Sequence, residues 1–318
     1  MMRMRFIHVA LTALAALAAA CTADERDSQP IHEPLKVCIS QSGIHVTRST
    51  TEGDGNTWAG GEQIALVVGN DVVSSTPTTT TDHVYTVSGT GTSQSLTALN
   101  LANTNYWTSR SETKKIVCAW SYGTTTAPTL TSHTLNTYTL PTTQSATSGE
   151  LLYAPATVEK AYTASPNSFT LQFYHQLTKV VFLVKLDAGS GAVSSPVMSI
   201  PGSGTQTAID DDGSYDATWT FGNNTNITPY AETPTSAETA DGVVARYSAI
   251  IIPGDYSSKA LLKVTMGSTE YTYTGGAEVN NLQSGKRYTI TVTVRNKLVF
   301  SGITVNAWSV GSSYNVVL

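Results

Sequence analysis

Leu35, Val37 and Ile39 alternate with Lys36, Cys38 and Ser40, the period of two expected of a strand with one buried face. After a polar loop the pattern resumes over 62–68, and shorter apolar runs follow near 84–87, 106–109, 116–122 and 151–154, separated by Thr-, Ser-, Gly- and Pro-rich connections. A second block opens with a clean alternation over 169–175 that leads into a nearly continuous apolar run over 177–184. Asp210-Asp211-Asp212-Gly213 sits before the 215–221 segment as a hairpin turn would, and the run over 247–252 stops at Pro253-Gly254-Asp255. Segments 261–266 and 270–274 flank Gly267-Ser268, where glycine can take positive φ without steric cost. Tyr288, Ile290, Val292 and Val294 alternate with threonines, the clearest strand signal in the chain. No helical stripe is evident. The pattern predicts an all-β fold of two β-sandwich domains in tandem, 35–160 and 161–318, with the break in the polar sequence between Pro155 and Pro166.

Composition supports strands. Charged residues make up 13% of the 318 positions, and the polar remainder is rich in Thr, Ser and Gly. The net charge of −5 and the lack of a basic, aromatic-rich patch argue against a nucleic-acid partner. Residues 1–20 read as an export signal, with Arg3 and Arg5 ahead of an apolar stretch too short to span a bilayer permanently. Cys21 follows Leu17-Ala18-Ala19-Ala20 as a lipid-acceptor cysteine would; plain cleavage after Ala20 is the competing reading. Lipidation is favoured because it leaves no exposed free thiol. Residues 21–34 then form a polar tether. Cys38 and Cys118 lie in apolar segments, so they are either small buried hydrophobes or a disulfide allowed by an oxidising compartment.

Enzymatic motifs are scarce: there is no G-x-S-x-G elbow, H-E-x-x-H helix or C-x-x-C pair. His32, His45, His83, His133 and His175 lie mostly in polar loops, where an orienting carboxylate is not expected, so the reading is not an enzyme, with no cofactor and no metal. His175, beside Phe173 and Tyr174, reads as a core histidine satisfied by the backbone. Trp58, Trp107, Trp120, Trp219 and Trp308 are spread through strand-like segments, which favours core packing over a sugar-stacking platform. A surface glycan-binding lipoprotein that stays uncut is the alternative function.

Several landmarks in order resemble the fimbrillin-like lipoproteins, the type V pilus subunits of Gram-negative bacteria. They are Thr47-Arg48 with Trp58-Ala59-Gly60-Gly61-Glu62-Gln63-Ile64, Ile116-Val117-Cys118-Ala119-Trp120-Ser121-Tyr122, Glu150-Leu151-Leu152-Tyr153-Ala154, and the strand from Leu171-Gln172-Phe173-Tyr174-His175 to Val180. Leu282-Gln283-Ser284-Gly285-Lys286-Arg287-Tyr288 and Val305-Asn306-Ala307-Trp308 close the series. The resemblance implies two transthyretin-like β-sandwich domains and export as a lipoprotein to the outer membrane and cell-surface fimbrium. It also implies a cut between Arg48 and Ser49 by an arginine-specific protease. The first strand, with Leu35, Val37 and Ile39, would then leave, and a strand from another fimbrial subunit would fill the groove. The donor would come from 302–318, where Ile303, Val305 and Ala307, then Tyr314, Val316 and Leu318, alternate. Further partners implied are an outer-membrane lipid anchor on the precursor and host or bacterial surface ligands for adhesion.

Overall fold

The computed structural model describes residues 31–39, 58–91, 93–135, 137–145, 148–163, 167–187, 191–210, 215–295 and 298–307. The export signal, Cys21, Arg48, Ser49, Tyr314, Val316 and Leu318 lie outside the described residues.

The chain is mostly β. An amino-terminal sheet runs, from one edge to the other, through Ser168–Leu171, Lys36–Ile39, Gln94–Ala98, Thr79–Val87, Gln63–Asn70, Thr113–Ser121, Leu152–Ala154 and Tyr174–His175, and Lys160–Ala161 adds to Thr113–Ser121 as the ninth strand. Gln63–Asn70 is apolar almost throughout because both of its faces are covered: Ile64, Leu66 and Val68 enter one core while Ala65 enters another.

A five-stranded sheet, Tyr230–Glu232, Val243–Ile251, Thr178–Leu186, Lys286–Val294 and Leu298–Ala307, shares the second core with a four-stranded sheet of Asn224–Ile227, Val193–Pro201, Ala260–Met266 and Thr269–Thr274. Phe182, Ile200, Val264 and Ile290 are fully buried in that core. The expected hairpin around Gly267 forms, and Gly267 takes φ +63. Ser203–Ile209 and Ala217–Phe221 pair as the acidic turn suggested, although 211–214 lie outside the described residues. Ser203–Ile209 also pairs with Thr137–Thr139, which ties the second set of strands to the first half of the chain.

Two expectations differ from the structure. The alternation over 169–175 is not one strand but two, Ser168–Leu171 and Tyr174–His175, at opposite edges of the amino-terminal sheet. Phe173, fully buried, turns into the core between them, so the chain changes partner without breaking its apolar rhythm. The break expected between residues 160 and 161 consequently does not coincide with the change of sheet, which comes after His175.

Candidate functional site

The first strand is second from an edge of its sheet. Lys36–Ile39 runs antiparallel to Gln94–Ala98, with Val37 opposite Leu96, and parallel to Ser168–Leu171, with Phe169 opposite Val37. Leu35, Val37 and Ile39 are at most 4% exposed and pack with Trp58, Leu96, Phe169, Leu171 and Phe173. Lys36 points to solvent, and Cys38 is half-buried beside an open groove of about 800 Å³ that Leu101 and Tyr106 also line. Removing residues 35–39 would leave two neighbours with unpaired edges and a core short of three apolar side chains.

Immediately upstream the chain uses a different partner. Glu33–Pro34 pairs antiparallel with Tyr106–Trp107, and Leu35 N donates to Asn105 O at 2.8 Å. Tyr162 Oη donates to Glu33 Oε2 at 2.9 Å, and Lys36 Nζ lies 2.9 Å from Glu33 Oε1. Hydrogen bonds from Lys36 and Tyr162 hold the Glu33 carboxyl below its ordinary value.

Asn105 rests on a polar network. Its Nδ2 is 3.0 Å from His83 Nε2 and 3.4 Å from Thr81 Oγ1, and its N donates to Tyr85 Oη at 3.4 Å. Burial holds the His83 imidazole below its ordinary value of 6.5; Asp82 and Lys114 are the charged groups that act on it. Between that lowered value and 6.5 the unfolded chain binds more protons than the folded one, so stability falls as pH drops through the window. His83→Gln is expected to flatten the dependence of melting temperature on pH below 6.5. An unchanged slope would place the acid sensitivity on other groups.

Cys38 and Cys118 are both free thiols, so the disulfide reading is corrected. Cys118 packs against the second core with its Sγ 3.9 Å from His133 O, whereas Cys38 lines the groove it shares with Leu101 and Tyr106. Burial pushes the Cys118 thiol up to about 12. No bond between these cysteines tethers the first strand.

The histidine expectations are corrected as well. His175 Nδ1 lies 2.5 Å from Glu150 Oε2, both side chains buried, and His133 Nδ1 lies 2.6 Å from Asp82 Oδ1 in a half-exposed pair. His175 is therefore held by a carboxylate from the Glu150-Leu151-Leu152-Tyr153-Ala154 stretch, not by the backbone alone.

Among the donor-strand candidates, Ile303 pairs opposite Ile290 and Val305 opposite Tyr288, and Ala307 is opposite Lys286. Ile303 is 4% exposed in the second core, so this strand already completes its own sheet. Trp58, Trp107 and Trp120 are buried and Trp219 is half-buried, in line with the packing role read from the sequence. Sequence reasoning missed Gln94–Ala98 as a neighbour of the first strand: its alternation is short, and its partner is distant along the chain.

A family model described as fimbrillin-like matches residues 47–308. Among solved structures, a candidate cell adhesion protein from Bacteroides uniformis aligns with a TM-score of 0.59 at 19% identity, covering 87% of this chain and 98% of that one. A candidate cell adhesion protein from Bacteroides ovatus aligns with a TM-score of 0.57 at 17% identity, covering 89% and 100%. Likenesses at this identity establish a shared fold. No curated protein matches the chain.

Proposed function

Since this chain belongs to the fimbrillin-like family, we propose that it is a subunit of a cell-surface fimbrium that serves adhesion and assembles by strand exchange. In this reading the precursor carries lipid on Cys21 and is held in the outer membrane. An arginine-specific protease cuts between Arg48 and Ser49, and a strand from another subunit takes the place of Lys36–Ile39. The observation that carries the reading is the position of that strand: it completes the amino-terminal core, yet only residues 40–57 join it to Trp58. A cut there severs its covalent connection to the rest of the sheet while removing none of its neighbours. The free cysteines support release, because no bridge joins Cys38 to Cys118.

Ile303 and Val305 already serve their own sheet, which favours the tail beyond Ala307, with Tyr314, Val316 and Leu318, as the donor. Detaching Leu298–Ala307 instead would open the second core.

The test is to treat the purified precursor with an arginine-specific protease, sequence the new amino terminus and follow the oligomeric state. A terminus at Ser49 with multimers is the expected result, and Arg48→Gln should remain uncut at this position and monomeric. A wild-type product that stays monomeric after a complete cut would overturn the assembly mechanism.

A further inference from the structure

We infer that residues 31–39 are held by a second, outer grip on the segment 105–108 in addition to the sheet slot, so that a chain cut within 40–57 keeps this piece bound. The inference rests on the strand-exchange reading for one point only, the natural occupant that follows, which is a strand from a second copy of this chain.

The outer grip is built from both backbone and side chains. Ile31 N donates to Thr108 O at 3.3 Å and Leu35 N to Asn105 O at 2.8 Å, bracketing the Glu33–Trp107 and Pro34–Tyr106 pairs. The His32 ring stacks on Tyr106 at 3.8 Å with the planes 14° apart, and Tyr162 Oη donates to Glu33 Oε2. Asn105, the acceptor for Leu35, is 7% exposed and fixed by His83, Thr81 and Tyr85, so the grip bears on a rigid support.

Pro34 lacks an N–H and cannot donate in a ladder. It stands where the chain leaves one partner, and from Lys36 it lies between two others. The four residues of Lys36–Ile39 alone would make a short interface. Together with the outer grip, a peptide of nine described residues must lose two sets of contacts at once to depart. A strand that replaces it has to displace the outer grip as well as fill the slot.

The experiment uses the full chain in the Arg48→Gln background, with a recognition site for a highly specific protease inserted into 40–57. After complete cutting, gel filtration followed by mass spectrometry asks whether the piece containing 31–39 elutes with the body. Co-elution is expected. The double variant His32→Ala/Tyr162→Phe, which removes the stacked ring and the Glu33 hydrogen bond, should release the piece about tenfold faster. Thr220→Ala, at an exposed position on Ala217–Phe221 and away from both grips, should not alter the rate. Melting curves of the uncut variants verify that each is folded. Loss of the piece from the cut parent during the column run, or release from the folded double variant at the parent's rate, would overturn the inference. Because the cut does not depend on Arg48 and the readout is retention, failure here leaves strand exchange standing, and an absence of multimers leaves retention standing.

Discussion

Val37→Asp is expected to lower the stability of the uncut chain by about 4 kcal/mol and its melting temperature by roughly 10 °C. Val37 is 1% exposed, lies between Leu96 and Phe169, and has no polar side chain paired opposite it on either neighbour. The substitution removes a buried isopropyl group and puts a carboxyl among the apolar side chains that surround it, where it must stay neutral or unpaired. Either outcome costs more than the lost contact alone. Thr97→Asp, which places the same group at an exposed position on the adjacent strand, should change stability by only about 0.5 kcal/mol. Thermal unfolding of the three proteins checks this. Similar losses for the two variants would mean that the first strand contributes little to the core, and the reading of it as a core-completing segment would fail with them.

The signals that were legible in the sequence are local ones. Lys36–Ile39, Gln63–Asn70, Lys286–Val294 and the hairpin around Gly267 all follow from alternation and turn chemistry within a few residues. The pairing of Ser168–Leu171 with Lys36–Ile39 does not: the strands are parallel and far apart in the chain, and nothing in either segment encodes the other's register. Phe173 shows why the 169–175 alternation misled, since a residue that turns into the core between two strands keeps the same apolar spacing as one within a strand. The helix Ser236–Ala240 is too short for a stripe, yet its capping box was readable as Thr235-Ser236-Ala237-Glu238. Cys38 and Cys118 suited both of their readings equally well, because an apolar flank fits a buried thiol and a buried disulfide alike; only their different surroundings in the fold separate them. The outer grip was invisible for the same reason as the parallel pairing. His32, Glu33 and Pro34 look like tether, and their partners at Tyr106, Trp107 and Tyr162 come from other parts of the chain.

The His175–Glu150 pair carries the second large effect. His175→Leu is expected to cost about 3–5 kcal/mol, because it leaves the Glu150 carboxylate buried without its cationic or hydrogen-bonding partner. Among the described residues Glu150 Oε1 has no hydrogen-bond partner, so the carboxyl depends on the Oε2 contact with His175. Converting both members to neutral amides, Glu150→Gln with His175→Gln, should cost less than the sum of the two single changes, and the double-mutant cycle on melting data measures that coupling. The site also lies where the chain passes between sheets: His175 pairs opposite Leu152, Gln176 N donates to Leu151 O at 2.9 Å, and Gln176 O accepts from Ser284 Oγ at 3.3 Å. A defect at this point therefore acts on both cores together, and His175→Leu should lower the unfolding of the two halves in a single transition. Separate transitions, with only the carboxy-terminal half unchanged, would show that the pair serves the amino-terminal sheet alone and does not couple it to the second core.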